Sequence, residues 1–148
     1  MLPFTNNVVI DIINAMKRLL FALAIFLIFT GCRTTANLND DLSPAELIQR
    51  GQEAMDRNRY TAALQYYEAL YERNRSNIDL VITAEYSIAF IHYKQGRNEQ
   101  AREGLNAVLE YYNGPDQELL PQHFRILSNI VIKRIDEKDN QKSLFRRR

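Results

Sequence analysis

The chain is poor in the residues that carry most enzyme chemistry. Cysteine occurs once, at Cys32, which excludes an internal disulfide and a thiolate metal site. Histidine occurs twice, at His92 and His123, with no further ligands at metal-binding spacing around either. There is no Gly-rich phosphate loop, no His-Glu-x-x-His and no Ser-His-Asp pattern, so the chain reads as a non-enzyme without a cofactor. An excess of one charge is also missing: 19 Lys plus Arg stand against 18 Asp plus Glu, which removes the electrostatic argument for nucleic acid. Tryptophan is absent, and five Gly and four Pro in 148 residues leave few places to turn. Long helices are expected, and the apolar spacing described below makes the domain all-α.

What is present begins with a short apolar run. Residues 19–30 read LLFALAIFLIFT, preceded by Met16-Lys17-Arg18. A membrane-spanning helix needs about 20 apolar residues, because the hydrocarbon core is ~30 Å thick and each helical residue rises ~1.5 Å. Twelve residues behind two basic ones fit the h-region and n-region of a secretory signal instead. The preceding MLPFTNNVVIDIINA has Asp11 and no positive charge, which points to a translation start at Met16. The run ends in Phe29-Thr30-Gly31-Cys32, which resembles a bacterial lipobox, with Phe29 in place of the usual leucine. The resemblance implies cleavage between Gly31 and Cys32, and a diacylglycerol plus an N-acyl chain on Cys32. The competing assignment is an inert buried thiol at the end of a signal anchor. Two or more acyl chains give stable membrane attachment. Arg33 follows the cysteine where an aspartate would favour inner-membrane retention in enteric bacteria, so the resemblance implies a periplasm-facing protein of the cell envelope, on the outer membrane rather than the inner.

The expected organisation is a signal peptide at 1–31, a lipidated polar tether at 32–42, a helical domain at 43–137 and a basic tail at 138–148 ending in Arg146-Arg147-Arg148. Asp40-Asp41 read as solvated tether charges. Ser43-Pro44-Ala45-Glu46 predicts a capped helix start. Leu47, Ile48, Gly51, Ala54 and Met55 then recur at helical spacing, and Asn58-Arg59 breaks the pattern. Tyr60, Ala63, Leu64, Tyr67, Leu70 and Tyr71 mark the second helix. A third carries Ala84, Ile88, Ala89, Ile91 and His92 and stops at Gly96. Ala101, Leu105, Val108, Leu109 and Tyr112 mark a fourth, ended by Asn113-Gly114-Pro115. A fifth is expected over about 119–137, with Leu120, Phe124, Leu127, Val131 and Ile135 on one side and His123 at its exposed start. His92 is expected to face the packing as a structural residue.

Two hairpins in succession suggest a repeat. Gly51, Tyr60, Ala63 and Tyr67 resemble the small and aromatic positions of a tetratricopeptide repeat. A second copy, SIAFIHYKQGRNEQAREGLNAVL at 87–109, places Ile88-Ala89, Tyr93, Gly96 and Ala101 at the matching positions. Arg50, and Leu105 in place of an aromatic, depart from the pattern. Ala63 and Ala101 lie 38 residues apart, against a family period of about 34, so the intervening turn or the next helix is longer. An unrelated bundle of helical hairpins would have the same secondary structure. The resemblance implies an α-α superhelix of two hairpins plus a C-terminal capping helix. About three repeats are usually needed for stability, so the fifth helix, a second copy or a partner supplies the missing cover.

The resemblance further implies a protein-interaction scaffold or accessory subunit with a groove lined by the first helix of each hairpin. Carried-over groove positions are Ile48, Gln52, Met55 and Asp56, then Tyr86, Phe90, Tyr93 and Lys94; the partner-binding candidates are Gln52, Met55, Tyr86, Phe90, Tyr93 and Lys94. Some of these aromatics, Phe90 first, could instead pack against the fifth helix. The expected partners are the membrane, through the lipid, and an envelope protein or peptide. The alternative is an accessory component of a solute uptake system, which would enclose a small apolar ligand between Tyr86, Phe90 and Tyr93 or contact a solute-binding protein. An enzyme would need a cluster of shifted titratable groups in a cleft, and none is expected.

Intact mass of the membrane-fraction protein tests the lipidation. The expected product begins at Cys32 and carries added acyl mass, which Cys32→Ala removes. An uncut, unmodified wild-type chain would overturn it.

Overall fold

A computed structural model describes residues 14–18, 35–39 and 41–146. Residues 14–18 are helical and belong to a unit of their own, Met1–Arg33. Gly31 and Cys32, the cleavage and lipidation residues, lie outside the described residues, as do the apolar run at 19–30, Asp40, Arg147 and Arg148.

The second unit, Thr34–Arg148, is helical, and there is no strand among its described residues. Its helices are α1 (Pro44–Asp56), α2 (Tyr60–Arg73), α3 (Ile78–Lys94), α4 (Asn98–Glu110) and α5 (Gln122–Arg146), with short 3-10 turns at Tyr111–Asn113 and Gln117–Leu119. Helix α1 starts as its residues dictate. The Ser43 hydroxyl accepts from the Glu46 amide at 3.3 Å, and the Ser43 amide donates to Glu46 Oε2 at 2.9 Å. That backbone bond holds the Glu46 carboxyl below its ordinary pKa.

The two hairpin turns share one construction. Asn58 takes a φ of 55° and Gly96 a φ of 75°, and in each turn the next amide closes back: Arg59 on the Ala54 carbonyl, Arg97 on the His92 carbonyl. Glycine and asparagine are the residues that tolerate this left-handed step at a helix end. The interval of 38 residues is settled by helix length. Helix α3 has 17 residues where α1 has 13, which adds one helical turn to the second copy. Asn77 caps this longer helix by accepting from the Asp79 and Leu80 amides.

Within each hairpin the helices approach closely at small residues. A Cβ added at Gly51 would stand 2.8 Å from the ring of Tyr67, and one at Gly104 would stand 2.8 Å from Cβ of Ala89. Volume shifts between the copies: Gly51 with Tyr67 in the first becomes Ala89 with Leu105 in the second, so the methyl gained on one helix accompanies the ring lost on the other. Arg50, out of pattern for a repeat, directs Nη1 to the Asn37 carbonyl at 3.5 Å. The stretch before α1 lies on the first hairpin: the amides of Ala36 and Asn37 donate to Gln65 Oε1 and the Tyr66 hydroxyl at 2.6 and 3.1 Å.

The fifth helix departs from expectation at both ends. Pro121 forces Leu120 into an extended conformation (ψ 156°), so α5 begins after the proline and leaves Leu119 exposed outside it. No glycine or proline follows, and the helix runs on to Arg146, so residues 138–146 are helical rather than the expected basic tail. Arg102 on α4 pairs with both Asp136 and Asp139, tying this extension to the body. The inner face also differs. Val131 and Ile135 are buried, Phe124 is half-buried, and Ser128 sits between them at 0% exposure with no partner for Oγ. Leu127 is turned aside, 38% exposed.

Gly51→Ala tests the close approach. Helix propensity alone favours alanine by about 0.5–1 kcal/mol, but a methyl against the buried Tyr67 ring overpacks the site at a cost of about 1–3 kcal/mol. The net expectation is a lower urea midpoint, and an unchanged or higher one would contradict the geometry.

Candidate partner-binding cleft

Helix α5 packs mainly on α4 and secondarily on α3, the place a third first-of-pair helix would take. This encloses a cleft of about 340 Å³ between α1, α3 and the start of α5. From α1 come Ile48, Gln52 and Met55; from α3, Tyr86 and Phe90; from α5, His123, Phe124 and Leu127. The floor is aromatic. Tyr86 lies 5.0 Å from Phe124 between ring centroids and stacks on Phe90 at 5.9 Å with the planes 11° apart. Burial pushes the Tyr86 phenol up. Gln52 and His123 are exposed at the rim, so the cleft is open to solvent rather than sealed.

Four of the six partner-binding candidates, Gln52, Met55, Tyr86 and Phe90, therefore meet around one space, with Ile48 beside them. Two do not line it. Tyr93 continues the aromatic row, 5.9 Å from Phe90, but Lys138 of α5 lies over its ring at 4.9 Å and directs Nζ to its hydroxyl at 3.5 Å. Lys94 is exposed at the end of α3 and is not among the residues that line the cleft. The α5 residues that close the cleft were not identified from sequence, since they share the apolar spacing of an ordinary packing face.

A second cleft of about 410 Å³ lies between α3 and α4, lined by Glu85, Ile88, Ala89, His92 and Gly104 among others. Here the expectation of no shifted titratable groups is corrected. Burial raises the Glu85 carboxyl, and the Tyr111 hydroxyl donates to its Oε1 at 3.2 Å. The Tyr111 phenol is pushed up to about 12 by burial and by the adjacent carboxylate. His92 is lowered, first by burial and then by Arg97. Glu85 Oε2 and His92 Nδ1 are buried without partners. Tyr111 engages only one oxygen of Glu85, and no Ser, Cys or Lys stands among the residues that line this cleft. Among the described residues no group of three His, Cys, Asp or Glu could hold a metal ion, and no described helix is long and apolar enough to cross a membrane.

Comparison with known proteins agrees with this architecture. Residues 54–120 match the family model of the tetratricopeptide repeat. The match runs from the end of α1 through α2, α3 and α4, and supports tetratricopeptide-like repeats in this chain. The chain is also similar to a protein of Treponema pallidum (strain Nichols) described as uncharacterized, at 30% identity over 116 residues. That alignment covers 76% of this chain and 46% of the relative, so the chain spans about half the relative's length. No solved structure matches the chain.

His92 yields a pH prediction with a definite sign. The folded state holds the imidazole neutral more strongly than the unfolded state does, where the pKa is about 6.5. Protons therefore bind the unfolded chain preferentially, and this contribution to stability is lost as pH falls below about 6.5. Urea midpoints measured from pH 7.5 down to 5.5 should fall less steeply for His92→Gln than for wild type.

Proposed function

We propose that this protein is a lipid-anchored, periplasm-facing module of the cell envelope that holds a protein partner in the cleft between α1, α3 and α5. The observation that carries the reading is the aromatic floor of Tyr86, Phe90 and Phe124, open to solvent between Gln52 and His123. Rigid aromatics surrounded by adaptable polar groups are the usual make-up of a binding hot spot. A cleft of about 340 Å³ accepts one or two large apolar side chains projecting from a partner helix or extended peptide. Its open rim favours such a partner over an enclosed apolar solute of an uptake system. The tetratricopeptide-like repeats support the same class of role, since stacked helical hairpins present extended binding surfaces. The membrane connection rests on Cys32 and the residues before it, with the outer membrane preferred because Arg33 follows the cysteine.

A photoreactive side chain placed at Gln52, and separately at Asn106 on the exposed side of α4, tests the cleft in living cells. The expected result is a discrete adduct from position 52 and none from 106. Leu127→Arg, at a partly exposed position, should block that adduct, and Phe90→Ala should weaken it about tenfold or more. Equal adducts from both positions, insensitive to Leu127→Arg, would place the partner elsewhere.

A further inference from the structure

Helix α5 has a second face. Opposite the packed line of Phe124, Ser128, Val131 and Ile135, the side chains of Ile126, Ile130 and Leu144 are 59%, 41% and 64% exposed. They belong to a continuous outer line of Ile126, Ile130, Lys133, Glu137, Asn140 and Leu144, alternating in steps of four and three and exposed throughout. That spacing keeps residues on one seam of a helix and is the pattern by which helices pair. Other charged side chains of this stretch are engaged with the body: Asp136 and Asp139 with Arg102, Lys138 with Tyr93. Lys133 and Glu137 enter no ion pair among the described residues. From 140 to 145 every residue is exposed, so these turns gain little burial from their own chain. Helical turns without packing are marginal in water.

We propose that this seam binds a second copy of the chain, α5 against α5, antiparallel about a two-fold axis at Ile135. The order of residues selects this occupant. In that register Ile126 meets Leu144 of the second copy, Ile130 meets Asn140, and Lys133 meets Glu137, and the symmetry makes each pairing occur twice. Apolar side chains fall at the two ends of the seam, and opposite charges face each other near its centre. A parallel pair would set Lys133 on Lys133 and Glu137 on Glu137, which like charges oppose. The cleft residues Phe124 and Leu127 are not on the seam, and His123 at the cleft rim stands one step before its first residue, Ile126.

Sedimentation velocity of the detergent-solubilised full chain, across concentration, tests the seam. Wild type should show a monomer–dimer equilibrium. Lys133→Glu and Glu137→Lys should each weaken it about tenfold or more, and the double variant should return to within about threefold of wild type. An equimolar mixture of the two single variants should associate again, because each supplies the charge the other lacks. All these positions are exposed, and circular dichroism checks that the variants stay folded. A monomer at every concentration overturns the proposal. So does a dimer indifferent to both single changes, or a double variant as weak as the singles. Ile126→Asp combined with Ile130→Asp gives a second check, and a dimer that survives it forms through another surface.

Discussion

Helix α3 is buried on two faces, and the rest of the domain depends on that. Ala84 and Ile91 belong to the core of the first hairpin, with Leu47, Tyr67 and Leu70. Ile82, Tyr86 and Ala89 belong to the core of the second, with Leu105, Val131 and Ile135. A helix held from both sides has little freedom to rotate, because a turn about its axis would bring the wrong side chains to both cores at once. Its extra turn, set by the Asn77 cap, fixes the offset between the two copies. Close approach at Gly51 and Gly104 holds each hairpin partner at the distance this requires.

The cleft is a consequence of the same arrangement. With Ala84, Ala89 and Ile91 committed to packing, Tyr86 and Phe90 point between α1 and α5. Phe124 then covers one edge of Tyr86 and Lys138 covers Tyr93, so α5 both completes the second core and trims an aromatic row into a bounded site. The capping helix thus has three distinct sides: one buried, one in the cleft and one facing solvent with the Ile126 to Leu144 seam. The buried side of α5 carries one polar group, the Ser128 hydroxyl, which has no partner. Lipid attachment at Cys32, as proposed, would hold all three sides close to the membrane and raise the local concentration of both an envelope partner and a second copy.

Local chemistry is where the sequence was most informative. The Ser43 capping box, the turns at Asn58 and Gly96, and the small residues at Gly51 and Ala101 each depend on a few adjacent side chains and on backbone preferences that hold in any fold. The hairpin stripes were legible because a helix repeats its buried face every three or four residues. The start of α5 after Pro121 was legible in principle, from the restriction proline places on Leu120. The absence of glycine and proline after Pro121 was equally legible, but the ion pairs that tie Asp136 and Asp139 to the body were not, because Arg102 lies more than thirty residues earlier in the chain.

The sequence by itself determined an all-α chain of hairpins, its caps and its turns, and it set Cys32 behind a short apolar run. Only the tertiary structure decided which aromatics remain available to a partner. Tyr86, Phe90 and Tyr93 lie on one line in the sequence, yet α5 buries most of the first, leaves the second at a cleft and places a lysine over the third. Tertiary packing likewise put Ser128 rather than Leu127 into the core and gave His92 and Glu85 their shifted pKa values. The reason is physical. Periodicity tells which side of a helix is apolar, but the angle at which another helix crosses it decides which of those residues lose their water.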